Sequence, residues 1–156
     1  MEFEIKDDFF DRGELELLRE FYKEFGLRKL EINLQSQMLP HPIYDLVRRA
    51  SEHLALEFNY MIIKEYNKNE SFQSGAYEWH IDPDCYKGTV LFLLTVSGKA
   101  NFKYKDSNEL IHSVKCVPGM LMLINSDLAH KVSPPEGADN RIILFLGYNS
   151  NIVKNV

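Results

Sequence analysis

Apolar residues recur every three or four positions in two stretches of the first half of the chain, the spacing of a helix buried on one side. The first stretch has four such residues: Leu15, Leu18, Tyr22 and Phe25. Asp11 and Glu14 precede it with the spacing of a capping box, and Gly26 is a natural helix end. The pattern predicts one amphipathic helix between Asp11 and Gly26.

The second stretch has six apolar residues at helical spacing: Ile43, Leu46, Val47, Ala50, Leu54 and Phe58. Pro42 lies at its start, where a first helical turn tolerates proline. Two shorter segments, around Phe3 and Ile5 and over residues 30–35, alternate apolar with polar residues, as half-buried strands do. The first 58 residues are therefore predicted to supply helical support with two additional strands.

After residue 59 the pattern changes to short apolar or alternating runs separated by polar, Pro-containing or Gly-containing turns. These runs predict eight strands, at residues 60–66, 76–81, 89–96, 101–105, 109–115, 120–124, 129–132 and 141–148. Two helices followed by many short strands favour a mainly β (α+β) fold, a jelly roll with residues 59–148 as its core and two flanking helices. No repeat or linker divides the sequence, so residues 1–156 are expected to form a single domain.

Composition narrows the expected partners and location. The formal net charge is −5 and no long basic run is present, which argues against nucleic acid as the main partner. Two widely spaced cysteines, Cys85 and Cys116, favour a reducing, cytoplasmic setting over a disulfide framework. The acidic N-terminus lacks the apolar segment of a signal peptide, and no apolar run has the length of a membrane span. We therefore expect no membrane partner.

The candidate chemistry begins with His80, Asp82 and His130. His80 and Asp82 are two positions apart, so they would project from the same face of a strand, while His130 comes from a distant strand. Two histidines and one carboxylate form the ligand set that suits non-haem Fe(II) with open coordination positions. The first pair alone would also fit an exposed histidine beside a turn-forming aspartate, because Pro83 follows Asp82.

Arg141 opens a strand that is otherwise apolar. A charge entering such a strand needs a partner, and the carboxylate of a ligand would supply one. A salt bridge at the strand end, with Asp139 or Glu136, is the structural alternative.

Taken together, these residues resemble the Fe(II)/2-oxoglutarate-dependent dioxygenases, in particular the prolyl 4-hydroxylase-like branch. The H-x-D of His80 and Asp82, the distal His130 and the basic Arg141 occur in that family's order and spacing, and the Pro118-Gly119 turn is also similar. The resemblance extends over residues 60–148, most of the chain. It implies a double-stranded β-helix supported by the leading helices.

By that resemblance, His80, Asp82 and His130 are the catalytic iron ligands, and Arg141 pairs with the far carboxylate of the co-substrate 2-oxoglutarate. The implied reaction uses O2 and hydroxylates a substrate, with release of succinate and CO2, and ascorbate is the reductant that the family suggests. The substrate class stays open between a peptidyl prolyl or other residue and a small molecule.

The sequence departs from the family pattern in two places. Members often have a tyrosine in the strand after H-x-D that helps to hold the far carboxylate, but residues 89–96 contain none. Tyr66 is our candidate substitute, and Thr95 and Tyr104 are weaker ones. The segment 67–75 is longer than the family's loop and is interpreted as a lid.

Two other functional classes remain open at this stage. The chain could be a non-catalytic jelly-roll binding module that keeps the metal site, or a cupin-like metalloprotein, although cupins usually show an H-x-H spacing that is absent here. Strict alternation would also place Tyr77 and Trp79 on the strand face opposite His80, where packing is their expected role.

Overall fold

The computed structural model describes residues 3–67, 77–81, 90–125, 127–137 and 140–148. In chain order the elements are β1 (Phe3–Lys6), α1 (Arg12–Lys23), β2 (Lys29–Asn33), α2 (His41–Leu54), β3 (Tyr60–Tyr66), β4 (Val90–Ser97), β5 (Ala100–Lys105), β6 (Ile111–Cys116), β7 (Leu121–Asn125), β8 (His130–Val132) and β9 (Arg141–Gly147). The described part of the chain is mainly β with two helices, as the sequence predicts.

All strand pairs are antiparallel and belong to two sheets. The major sheet has six strands in the order β1-β7-β4-β9-β3-β2, and the minor sheet has three in the order β6-β5-β8. Strands that are distant in sequence are therefore neighbours in space. Most importantly for the site, β9 lies between β3 and β4, and β8 lies at an edge of the minor sheet.

Both helices follow their local sequence signals. At the start of α1, the Glu14 amide donates to Asp11 Oδ1 (2.9 Å) and the Asp11 amide donates to Glu14 Oε1 (3.0 Å), which confirms the capping box. The apolar stripe of α2 continues to Phe58, but the helix ends at Leu54 because Ala55 takes a left-handed conformation (φ 52°). Within the described ranges no helix is long and apolar enough to cross a membrane.

The two faces of the major sheet bury different residues. Its outer face packs with α1 and α2 around a cluster that includes Met61, Leu94 and Leu144. Its inner face meets the minor sheet in a second cluster, where Leu93 and Met122 join Phe102, Cys116 and Val132. The inner face is the one that carries the candidate site.

The strand predicted over residues 76–81 is wrong for its described part. Among residues 77–81 only His80 makes a β-bridge, with His130, and Tyr77 lies in a short 3₁₀ turn. The partner strand β8 has only three residues, so few backbone groups are available to pair with residues 77–81. Seven strands, not eight, follow α2 in the parts of the chain that the structure describes.

Candidate metal and co-substrate site

His80 and His130 lie side by side at the edge of the minor sheet. The His80 amide donates to the His130 carbonyl (3.1 Å) and the His130 amide donates to the His80 carbonyl (2.9 Å). This pair of hydrogen bonds holds the two imidazole rings with their centroids 4.3 Å apart and their planes at 62°. Phe102 stacks on the His130 ring at 5.5 Å and supports it from the inner cluster. The fold thus brings together two of the three predicted iron ligands.

The two histidines share the same side-chain hydrogen bond. His80 Nδ1 lies 2.7 Å from the carbonyl of Glu78, and His130 Nδ1 lies 2.7 Å from the carbonyl of Leu128. A carbonyl oxygen only accepts, so Nδ1 is the protonated nitrogen of each ring and Nε2 carries the lone pair when the ring is neutral. Metal-binding histidines are typically fixed in this way by a backbone or carboxylate acceptor. These hydrogen bonds therefore favour the tautomer that binds a metal through Nε2 in both rings.

The third predicted ligand, Asp82, lies outside the described residues, as do Cys85 and positions 68–75 of the predicted lid. Within the described ranges no group of three or more His, Cys, Asp and Glu side chains comes together. The described part of the candidate centre therefore consists of the two histidines. The assignment of Asp82 as the carboxylate stays a prediction.

Arg141 is the most unusual buried residue of the inner face. Only 1% of its surface is exposed, and its Nη2 donates to Thr95 Oγ1 at 3.1 Å. Its Nε and Nη1 have no hydrogen-bond partner among the described residues. Unpaired donors on a buried cation carry a large desolvation cost, which a group that accepts from them would offset.

Arg141 forms no salt bridge with Glu136, one of the two carboxylates that the sequence offered as structural partners. Glu136 instead lies 3.2 Å from Lys115 Nζ on the other side of the minor sheet, and Asp139 is not among the described residues. Burial lowers the pKa of Arg141, while Cys116, Tyr66 and Tyr77 act in the opposite direction. The guanidinium is therefore surrounded by a thiol and two phenols and has no described carboxylate beside it.

Tyr66 and Thr95 both lie next to Arg141. Tyr66 is directly opposite Arg141 in the β3–β9 pairing and is only 4% exposed. Thr95 is the hydroxyl partner already described, on the neighbouring strand β4. Tyr104, by contrast, is directly opposite His130 in the β5–β8 pairing and packs in the inner cluster, with its ring stacked on His112 at 4.9 Å. Of the three candidates for a second carboxylate contact, two therefore line the arginine and one does not.

Two further residues line the same region and were not predicted as site residues. Tyr77 packs in the inner cluster with its ring 5.9 Å from that of Tyr66, and burial raises the pKa of Tyr77 while Arg141 lowers it. Lys64 lies with its Nζ 4.9 Å from the Tyr66 ring centroid, and burial lowers the pKa of Lys64. Tyr77 connects the histidine pair with the surroundings of Arg141, since it is three residues before His80 and lies close enough to Arg141 for the guanidinium to lower its pKa.

The expectation that Tyr77 lies opposite His80 failed because residues 77–81 are not a regular strand. The turn at Tyr77 directs its ring inward, whereas Trp79 lies on the outer side, where Lys105 and Lys131 contact its ring. Lys64 could have been found from the sequence, because it has the same strand parity as the inward residues Tyr60, Ile62 and Tyr66 of β3 and must project from the same face.

No protein-family model matches the sequence, and no curated protein matches it significantly. Solved structures do share the fold. A prolyl-4-hydroxylase from Pseudomonas putida is 17% identical with a TM-score of 0.62, and the match covers 94% of this chain and 92% of that one.

Two further solved structures show the same likeness. Iron-bound HygX from Streptomyces hygroscopicus is 15% identical, with a TM-score of 0.67 over 95% of this chain and 82% of its own. The viral collagen prolyl hydroxylase of Paramecium bursaria Chlorella virus-1 is 14% identical, with a TM-score of 0.60 over 94% of this chain and 89% of its own. These neighbours have Fe(II)/2-oxoglutarate dioxygenase-type folds, and the chain shares that fold with them.

Proposed function

We propose that this protein is an Fe(II)- and 2-oxoglutarate-dependent oxygenase that hydroxylates its substrate and releases succinate and CO2. In this proposal its two sheets form a double-stranded β-helix, and the reaction centre lies between them. His80, Asp82 and His130 would hold the iron, and Arg141 would bind the far carboxylate of 2-oxoglutarate.

The observation that carries the proposal is the state of Arg141. A guanidinium that is 1% exposed and keeps two donors without described partners is expensive unless a ligand satisfies them. A carboxylate is the strongest acceptor for such donors. The donor set therefore fits one end of a dicarboxylic acid, with the phenol of Tyr66 beside it.

The histidines fit the other end of the same ligand set. Each ring is held by a carbonyl so that Nε2 carries its lone pair, and imidazole nitrogen is a suitable ligand for iron. When bound, iron, 2-oxoglutarate and O2 would together supply the oxidising chemistry that converts a C–H bond of the substrate to C–OH with one oxygen atom of O2, while the other oxygen atom ends in succinate. The chain itself would orient the co-substrate with Arg141 and Thr95. The rings of Phe102 and Tyr77 would shield the centre from water.

The fold comparisons support the class but not the substrate. Two of the neighbours are named as prolyl hydroxylases, and HygX is named with iron bound. We propose hydroxylation as the reaction type because the donor set and the shared fold agree on the same cofactors. The identities are low, so the proposal rests on the residues of this chain.

An anaerobic titration with Fe(II) and 2-oxoglutarate tests the proposal, with the weak visible charge-transfer band of the chelate as readout. The wild type should develop the band, and Asp82→Ala and His130→Ala should lose it. His112→Ala is the matched control, since His112 lies in β6, two strands away from His130, and its Nε2 is 2.6 Å from Asp106. This variant should retain the band.

Arg141→Met should keep metal binding but require more 2-oxoglutarate, by about 10- to 100-fold, because a charge-assisted hydrogen bond contributes about 1.5–3 kcal/mol. Calorimetric titration with 2-oxoglutarate in the presence of Mn(II) gives the same comparison without turnover. A wild type that binds neither metal nor 2-oxoglutarate would overturn the proposal.

A further inference from the structure

The outer face of the minor sheet carries a group of cations around the single tryptophan of the chain. Lys105 Nζ lies 4.6 Å and Lys131 Nζ lies 4.9 Å from the centroid of the Trp79 ring. Lys103 is directly opposite Lys131 in the β5–β8 pairing, so the two side chains emerge side by side. We call Trp79, Lys103, Lys105 and Lys131 the lysine face.

The lysine face is unusual in a chain with a formal net charge of −5. Like charges directly opposite each other in a sheet are destabilising, and yet Lys103 and Lys131 take this arrangement. Within the described part of the chain, none of the three lysines forms an ion pair with a carboxylate. Lys115, on the same outer face, does pair with Glu136 at 3.2 Å. Among the described residues, the lysine face therefore holds three positive charges without a carboxylate partner, and a partner molecule could supply one.

The position of this surface connects it with the candidate centre. Lys131 follows His130 in β8, so the two side chains project from opposite faces of that strand. Trp79 precedes His80 and contacts Lys131, which places its ring on the outer face of the same edge. Residues 79–81 separate the lysine face from the two histidines, so a polymer on the lysine face would lie next to the candidate centre. A small molecule bound at the centre would have no use for this surface.

We infer that the lysine face binds the acidic flank of an extended peptide substrate. Lys103 and Lys105 are two positions apart on one strand, which places them about 7 Å from each other. Carboxylates at alternate positions of an extended peptide have the same spacing, and Lys131 provides a second cation beside the first row. Ile111, paired with Lys105 in the neighbouring strand and 59% exposed, adds an apolar contact at the end of the surface.

Single-stranded nucleic acid is the competing anionic polymer, and the observations favour it less. Proteins that bind it combine a cationic groove with aromatic rings on which bases stack. The one aromatic ring of the lysine face is already in contact with two ammonium groups. An acidic peptide, in contrast, can bind through ion pairs alone and needs no aromatic ring for stacking.

The test is a titration of metal-free protein with a fluorescently labelled peptide that has glutamate at alternate positions. The matched probe has glutamine at those positions, and a labelled oligothymidylate represents nucleic acid. The acidic peptide should bind, and its affinity should fall as NaCl rises from 50 to 500 mM because the ions screen exposed charges. The glutamine peptide should bind at least tenfold more weakly. Emission from Trp79 should change on binding, which locates the peptide.

The variants separate the lysine face from general basicity. The affinity for the acidic peptide should fall about threefold in each single variant, Lys103→Gln, Lys105→Gln and Lys131→Gln. It should fall roughly tenfold or more in the triple variant, as expected for ion pairs at a protein surface. Lys115→Gln is the control on the same sheet face, and it should leave the affinity unchanged. All five proteins should retain the wild-type melting temperature or exceed it, so a loss of binding is not a loss of folding.

Three results would overturn the inference: no binding of the acidic peptide, equal loss in Lys115→Gln, or tighter binding of the oligothymidylate. The role of the bound peptide as a substrate rests on the proposed oxygenase function, but its binding does not. Peptide binding without an Fe(II)–2-oxoglutarate band would sink the proposed function alone. A band without peptide binding would sink only the inference.

Discussion

The two faces of the major sheet come from alternate residues of the same strands, yet they differ in chemistry. On the outer face, β4 and β9 supply Leu94 and Leu144, which pack against the helices in an apolar cluster. On the inner face the same strands supply Thr95 and Arg141, beside Tyr66 of β3. The outer face buries mainly apolar side chains. The inner face buries the Arg141 cation, two of whose donors have no hydrogen-bond partner among the described residues.

This difference indicates that the two faces serve different purposes. Apolar burial contributes roughly 25 cal/mol per Å² of surface removed from water. The outer face gains this at a small polar cost, the buried Tyr22 hydroxyl, which has no hydrogen-bond partner among the described residues. The inner face gives up part of that gain around Arg141 and Lys64, a half-buried lysine whose pKa is lowered by its burial. Such groups are typical of a site where a ligand completes the structure. Substitutions on the two faces should therefore have opposite signatures.

The largest expected effect on stability comes from Leu94→Ala on the outer face. Leu94 is fully buried, so the variant should lose about 2–5 kcal/mol of unfolding free energy through lost contacts and the cavity left behind. Its affinity for 2-oxoglutarate in the folded fraction should stay within about twofold. Urea denaturation and calorimetric titration measure the two quantities. Leu110→Ala, at a 61% exposed position, is the control and should change stability by less than about 0.5 kcal/mol.

A smaller effect on stability is expected at Gly98, where β4 turns into β5 behind the arginine. Gly98 has φ +79°, and a Cβ there would lie 2.6 Å from the Asn140 carbonyl oxygen and 2.8 Å from Arg141 Cα. Gly98→Ala should therefore cost about 1–3 kcal/mol and also weaken 2-oxoglutarate binding, because the backbone of Arg141 must move.

Gly26→Ala is the matched control for that variant. Gly26 also has a positive φ (+61°), but no atom lies within 4 Å of the position a Cβ would take. It should show the cost of the left-handed conformation alone, about 1 kcal/mol, with unchanged affinity. Equal effects of the two variants on 2-oxoglutarate binding would contradict a positioning role for the close approach at Gly98.

The elements of the first half of the chain could be predicted because their signals are local. The capping box of Asp11 and Glu14 and the stripe that begins at Ile43 need no knowledge of the rest of the fold. The pairing of β3 and β4 with β9 is different, since it depends on contacts between segments far apart in sequence. The sequence indicated that Arg141 needs a partner, and the family resemblance suggested Tyr66, Thr95 or Tyr104 near it. Only the strand pairing shows that Tyr66 and Thr95 flank it.

The candidate metal centre was predictable in part. His80 and His130 were predicted to act together, and the structure brings their rings to 4.3 Å. The role of Tyr77 was missed because alternation predicts direction only in a regular strand, and its segment has a single bridge to a three-residue partner. The lysine face was also missed, because Lys131 is distant in sequence from Lys103 and Lys105 and joins them only through the β5–β8 pairing. A negative net charge argues against nucleic acid as the main partner, but it does not describe such a local surface.

The smallest expected change in stability, and the sharpest test of the comparison, is Arg141→Met without ligand. Methionine keeps much of the apolar stem and removes a buried charge with two donors that lack described partners, so stability should be equal to the wild type or slightly higher. Adding Mn(II) and 2-oxoglutarate should raise the melting temperature of the wild type by mass action, and should raise that of the variant much less. A structural arginine would behave in the opposite way. If Arg141→Met unfolds as readily as Leu94→Ala and its ligand-induced shift is unchanged, the inner face is a second structural core, and Arg141 must be satisfied by the chain itself.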